Sequence, residues 1–153
     1  MRLVIQRVRK ASVHVGGQCI AAISTGLLVL VGFGAKDAET GAWPSINAAL
    51  HKLPLLRIFP DNDKHMNASL IDVGGEVLLV SQFTLYADCN KGRRPSFHPA
   101  CPPQEAAILY DEVCAAMHTM LPGKVRSGIF AADMDVSLTN WGPVTLILDS
   151  NDK

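Results

Sequence analysis

The chain has no net charge, no paired cysteines and no apolar stretch long enough to cross a bilayer. Its 14 Lys and Arg residues balance 14 Asp and Glu, so the strongly basic balance that neutralises nucleic-acid phosphates is missing. Composition gives no support to a nucleic-acid substrate, although an enzyme that grips only the end of such a molecule needs few phosphate contacts. The four cysteines, Cys19, Cys89, Cys101 and Cys114, contain no CxxC pair, and the five histidines are dispersed. Neither a disulfide framework nor a structural zinc site is expected. Leu27 to Phe33 is the longest apolar run near the N-terminus, far short of the roughly 20 residues of a spanning helix. Arg2, Arg7, Arg9 and Lys10 precede it at too great a distance, and with too many polar interruptions, for a secretion signal. A cytoplasmic protein with no membrane partner is expected. Also missing are a Ser/His/Asp spacing, a phosphate-binding glycine loop and Gly-x-Ser-x-Gly, which argues against an α/β-hydrolase nucleophile elbow.

What is present reads as one α/β domain dominated by strands. With 153 residues, 48% hydrophobic and 18% charged, the chain can bury a sizeable core. Residues 1–150 are assigned to a single domain and 151–153 to a C-terminal tail. Leu3 to Val8, Val13 with Val15, and Ile20 to Ile23 are short β-branched segments, and Gly16-Gly17 is a hairpin signal between them. Gly26 to Phe33 is apolar throughout, as in a strand buried on both faces. A helix is expected from Asp37 to about Leu53, with Pro44 in its first turn moving the true start toward Trp43. Strands follow at Leu55 to Phe59 and, after Gly74-Gly75, at Glu76 to Leu85. Asp88 to Pro103 is a loop and the one locally basic segment. Gln104 to Leu121 is the clearest helix, stopped by Pro122-Gly123. Val125 to Phe130, Asp135 to Leu138 and Val144 to Leu148 complete the chain as three strands.

Two polar interruptions of apolar strands attract attention. Ser81, Gln82 and Thr84 stand at the end of one, where burial without partners would cost about 1–3 kcal/mol each. Strand-end bonds to a neighbouring loop, or a pocket wall facing a ligand, both satisfy that requirement. The second is Thr139 to Thr145, where Gly142 before Pro143 reads as an ordinary turn. Only about 5–6% of X-Pro bonds in folded proteins are cis, so local sequence favours trans.

Ser81-Gln82-Phe83-Thr84-Leu85 resembles the SQxTL signature of D-aminoacyl-tRNA deacylases, and Asn140 to Thr145 resembles their NxGPVT signature. The likeness extends over almost the whole chain: Ile5 to Val8, Ala11 to Val13, Gly26 to Leu30, Lys64 to Asn67, Arg93 to Phe97 and Gly128 to Met134. Trp141 departs from the pattern, because the family commonly carries an acidic residue there. The resemblance implies two main helices on a sheet or barrel-like core, a homodimer, and hydrolysis of the ester linking a D-amino acid to tRNA. It implies a wall of Ser81, Gln82, Phe83 and Thr84 at the ester, with main-chain N–H groups near Phe83 and Thr84 receiving the oxyanion. It further implies that Gly142-Pro143 is cis and enters the partner subunit's site to exclude L-residues, with leakage on glycine. Arg7, Asn140 and Thr145 would support that loop. Lys91, Arg93 and Arg94 are candidates for contact with the tRNA acceptor end, an ordinary solvated loop being the alternative. No metal or organic cofactor is implied. A non-enzymatic dimeric adaptor, and an esterase with Thr84 as nucleophile, are competing readings; a related tRNA proofreader that edits an L-residue, with another residue at Phe83 and a trans Gly-Pro, is disfavoured by the intact Ser81 to Leu85 string.

Overall fold

The computed structural model describes residues 1–63 and 65–151; Lys64 of the quoted likeness and residues 152 and 153 of the tail lie outside the described residues. Gly16 and Gly17 take φ of 57° and 81°, the positive pair that a two-residue turn between right-twisted strands demands. That turn joins β1 (Arg2–Val15) to β2 (Gln18–Ile23) as a hairpin. The strand β3 (Gly26–Gly32) then pairs antiparallel with the first half of β1. A short 3₁₀ turn (Ala35–Ala38) and helix α1 (Trp43–Lys52) follow. The helix starts where Pro44 put it, because proline lacks the N–H that the first turn leaves unpaired anyway.

Leu55 to Phe59, expected as a strand, is different. Leu53–Leu55 forms a 3₁₀ turn around Pro54, and only Phe59–Pro60 pairs, as β4, with β5 (Met66–Ala68). The next strand, β6 (Glu76–Ser81), runs parallel to β3. It ends at Ser81 rather than Leu85, because Gln82 leaves the ladder and Phe83–Tyr86 turns as a 3₁₀ helix. Helix α2 spans Pro103–Met120. The strand expected through Phe130 is shorter, β7 (Val125–Ser127), and the last two expected strands are one, β8 (Asp135–Asp149).

The six-stranded sheet has the order β2-β1-β3-β6-β7, with β8 on the free side of β1. The pleat of β3 divides two cores. Leu27, Val29 and Val31 join the larger cluster with Ile5, Leu79, Leu50 of α1 and Val113 of α2. Leu28 joins the smaller cluster with Val8, Val13, Leu78 and Val80. Burial on both faces is what the unbroken apolar run required.

A buried carboxylate ties the chain start to this frame. Asp37 accepts from the Met1 ammonium group, from Gly34 N–H at 2.8 Å and from the Tyr86 hydroxyl at 3.3 Å. Burial, and next the charge of Asp37, keep the Tyr86 phenol protonated. Asp37→Ala removes the shared acceptor of all three donors and leaves the buried Met1 ammonium group with Ser150 Oγ, at 2.6 Å. It should lower the free energy of unfolding by about 3 kcal/mol, read as a lower urea midpoint at unchanged slope.

Candidate active site

The parallel β3–β6 pair ends where Val31 faces Ser81. Gln82 donates its N–H to the Val31 carbonyl at 2.7 Å, then takes φ −147° and ψ 79° and starts the 3₁₀ turn. A turn of this kind leaves its leading N–H groups without internal partners. Here the N–H groups of Phe83 and Thr84 meet no acceptor among the described residues. Gln82 Nε2 donates to Thr84 Oγ1 at 2.6 Å. The Phe83 ring is 55% exposed and meets Phe97 edge-on, with centroids 5.0 Å apart. Behind the turn, Arg2 Nη1 donates to the Leu85 carbonyl at 3.1 Å and its guanidinium lies 5.0 Å over the Tyr86 ring.

Beside this turn opens a pocket of about 420 Å³. Val80, Ser81, Gln82 and Phe83 make one wall; Cys101, Pro103 and Ala106, at the entry to α2, make another. The third wall is the segment from Phe130 to Met134, with Val136 of β8. Of the residues expected to meet the ester, Ser81, Gln82 and Phe83 line the pocket, whereas Thr84 stands next along the turn and outside the lining. Sequence reading had not singled out Ala106, Phe130, Ala131 or Met134. For Phe130, Ala131 and Met134 the signal was the Gly128 to Met134 likeness, and the backbone adds one more: Ala131 holds φ of 60°, uncommon for a residue with a side chain. Burial, then the charges of Glu105 and Asp37, push the Cys101 thiol up and leave it neutral.

A second group forms around an irregularity between β1 and β8. Gln6 faces Thr145 and Val8 faces Asn140, so residues 141–144 lie opposite Arg7 alone. This bulge is closed by Asn140, which accepts from Val144 N–H at 2.7 Å and donates to Thr145 Oγ1 at 3.1 Å. Gln6 reaches the same hydroxyl at 3.4 Å. Arg7 is 6% exposed. Its Nε donates to the Trp141 carbonyl at 2.7 Å and its Nη1 to the Ile58 carbonyl. Burial, and next the charge of Arg9, lower its pKa. The Gly142-Pro143 bond is cis, against the local base rate, and both residues are exposed. At Gly142, φ is 142° and a Cβ would come within 2.8 Å of Val144 Cγ2 and 2.9 Å of Arg7 Nη2.

The two groups do not meet within one chain. Arg7 faces Leu27, and Ser81 faces Val31, a displacement of about 13 Å along the strands at about 3.3 Å per residue. Arg7, Gly142 and Pro143 are absent from the pocket lining, although Val136, nearer the start of β8, belongs to it. Lys91, Arg93 and Arg94 lie exposed in the loop that carries Phe97, with no hydrogen-bond or ion-pair partner among the described residues. No cluster of three His, Cys, Asp or Glu able to hold a metal occurs among the described residues. No helix among them is long and apolar enough to cross a membrane.

Fold and pocket define a class first: a single mixed α/β domain, two helices on a nearly closed sheet, with a polar turn at the mouth of a mostly apolar cleft. Comparison with known proteins narrows it. A model of the D-Tyr-tRNA(Tyr) deacylase family matches residues 4–149. A D-aminoacyl-tRNA deacylase of Solidesulfovibrio magneticus is 60% identical over 99% of this chain and 97% of its own length. One of Thermus aquaticus is 51% identical over 100% of this chain and 97% of its own. Among solved structures, the c-Myc DNA Unwinding Element Binding Protein superposes with a TM-score of 0.90 at 37% identity, covering 99% of this chain and all of its own. The chain belongs to the D-Tyr-tRNA(Tyr) deacylase family, and it is an enzyme of that hydrolase class.

Gly142→Ala places a Cβ against Val144 and the Arg7 guanidinium at a φ that L-residues avoid. It should cost about 1–3 kcal/mol of stability, measured by chemical denaturation, with a crystal structure revealing a displaced 141–144 segment.

Proposed function

We propose that this protein hydrolyses the ester of D-aminoacyl-tRNA, releasing the free D-amino acid and tRNA, as a proofreading step of translation in the cytoplasm. The observation that carries the reading is the pair of unpartnered N–H groups at Phe83 and Thr84, set at the rim of a pocket of substrate size. Water adds to the ester carbonyl carbon, and the resulting oxyanion accepts from those two amides. The carbon–oxygen bond to the ribose then breaks, the ribose oxygen takes a proton, and the amino acid leaves as its carboxylate. The neighbouring ribose hydroxyl of the terminal nucleoside assists the water, so no protein nucleophile is required. Thr84 suits this account: its hydroxyl is held by Gln82 Nε2, and no His or Lys is among its hydrogen-bond partners to act as a base. Losing one oxyanion donor typically costs about 10²–10³ in rate.

The chiral filter is Gly142-Pro143 of one subunit of a homodimer, entering the pocket of the other. Support comes from the separation of the two groups within the chain, which makes the loop useless to its own pocket. The edge of β8 not paired with β1 carries no strand among the described residues, and Leu146 and the 70% exposed Ile147 stand on β8. Long apolar edges are surfaces that proteins cover. Backbone carbonyls of the loop hold the substrate ammonium, and the side chain of a D-residue points away. An L-residue would drive its Cβ into main chain, a rejection that needs no pocket for any particular side chain. Glycine, lacking Cβ, passes slowly. Lys91, Arg93 and Arg94 contact phosphates near the acceptor end.

Single-turnover hydrolysis of D-Tyr-tRNA and L-Tyr-tRNA should remove only the D-ester; no turnover of either would sink the proposal. Thr84→Ala should keep its rate within about tenfold, whereas a covalent mechanism demands near-complete loss in a folded variant. Binding of tRNA should weaken as salt rises, by about one unit of log–log slope per phosphate contact. Charge-neutral variants at Lys91, Arg93 and Arg94 should flatten that slope, and an affinity indifferent to salt would remove the three cations from the interface.

A further inference from the structure

Arg7 and Arg9 place two guanidinium groups beside one another, and no carboxylate pairs with either among the described residues. Both converge on one side chain. The Trp141 indole has the Arg9 carbon Cζ 3.5 Å from its ring centroid and that of Arg7 at 4.8 Å. Phe59 meets the indole edge-on, with centroids 6.3 Å apart, so the ring is braced from the core while Arg9 lies exposed.

The register of β1 and β8 explains the convergence. Arg7 is the single residue facing the bulge of residues 141–144, and Arg9 falls at the next irregularity, between Val8 and Lys10. Trp141 is thereby brought against two cations that a regular ladder would have spaced along one strand. It holds Arg7 twice, through its ring and through the carbonyl that accepts Arg7 Nε at 2.7 Å. The third nitrogen of Arg7, Nη2, lies against Gly142.

We propose that Trp141 is a positioning residue for the chiral filter: its π face takes the place of a carboxylate between Arg7 and Arg9 and fixes the Arg7 fork against the Gly142-Pro143 loop. The role rests on the reading of that loop as the filter. An aromatic face suits this place for two reasons. It attracts both guanidiniums through its quadrupole, and it leaves the donors of Arg7 for main-chain carbonyls. A carboxylate at the same point would compete for them, since it accepts guanidinium hydrogen bonds strongly. Arg9, exposed over the indole and without a hydrogen-bond partner among the described residues, meets the ring at 3.5 Å, and its proximity is one cause of the lowered Arg7 pKa.

The test compares Trp141→Phe, which keeps a face, with Trp141→Leu, which removes it. Each is measured for the ratio of single-turnover rates on D-Tyr-tRNA and L-Tyr-tRNA, and for thermal unfolding. Trp141→Leu should lower the D-to-L ratio by about tenfold, equivalent to about 1.4 kcal/mol, and Trp141→Phe should recover most of it. A side chain that merely fills space would change stability in both variants and leave the ratio alone, and that result overturns the proposal. So does a Phe variant as poor as the Leu variant.

An independent readout is the Arg7 Nε–H resonance in a proton–nitrogen NMR spectrum, assigned by its loss in Arg7→Lys. The indole ring current should displace it in the wild-type protein and in a folded Trp141→Leu that displacement should vanish. A wild-type resonance at the ordinary arginine position overturns the clamp whether or not any variant folds. Wild-type protein without turnover on D-Tyr-tRNA would instead defeat the functional reading, while the resonance still decides the clamp.

Discussion

A guanidinium buried at the middle of a β-ladder has to find acceptors where it lies, and Arg7 finds them in main-chain carbonyls. A regular β8 would already have committed its carbonyls to β1. The ladder instead opens, spending four residues of β8 against one of β1, and the freed carbonyl of Trp141 turns to the arginine. Everything particular to the Asn140 to Thr145 segment follows from that opening. Asn140 must close the gap with its side chain, Gly142 must stand where a Cβ would strike Arg7 Nη2, and the Gly-Pro pair is pushed out to solvent. Burying a charge is costly unless it is fully bonded, so the loop and the arginine hold one another in place.

The other group depends on a different geometric fact. Parallel strands β3 and β6 end together, and a chain leaving a parallel pair has no hairpin to return it. After Ser81 it turns as a 3₁₀ helix, which leaves two leading amides without partners among the described residues, beside the pocket. The turn is held from behind by a layer of polar contacts: Arg2 on the Leu85 carbonyl, Tyr86 on Asp37, Asp37 on the Met1 ammonium group. The proposed oxyanion site would gain from donors that do not reorganise during reaction, and such backing supplies that stiffness.

Elements whose causes are local were legible in the sequence. The Gly16-Gly17 hairpin, the doubly buried strand from Gly26, the start of α1 at Trp43 and the whole of α2 each follow from turn chemistry, periodicity or capping. Elements that ended or joined for tertiary reasons were not. Thr84 and Leu85 have strand character, but Gln82 makes the last ladder bond, to Val31, and its ψ of 79° turns the chain into the 3₁₀ helix. Gly142-Pro143 reads as a break between two strands, yet β8 continues through it because β1 pairs on both sides of the bulge. The segment from Phe130 to Met134 was visible as likeness but not as a pocket wall, since three-dimensional closure, not residue type, brings it opposite Ser81. Both signatures, by contrast, were visible as polar or conformationally odd residues inside apolar strands. Trp141 was visible only as a departure, and its partners could not be named until the register put Arg9 over its face.

A filter of handedness needs rigidity more than it needs contacts. The two enantiomers of one residue offer the same groups, so attraction alone separates them poorly, and the difference must come from a wall that will not yield. Main chain is such a wall only if its own position is over-determined. As the proposed filter, segment 141–144 suits that demand, because its backbone is held from three directions: Asn140 across its base, Arg7 through the Trp141 carbonyl, and the indole braced on Phe59. A loop tied by one bond alone could move by the few tenths of an ångström that admit a misplaced Cβ, and discrimination would fall while binding survived. Redundant restraint on an exposed segment is otherwise hard to explain, because exposed loops gain little stability from it. Its presence on a loop beyond reach of its own chain's pocket is the physical reason to look for the complementary surface on a second copy.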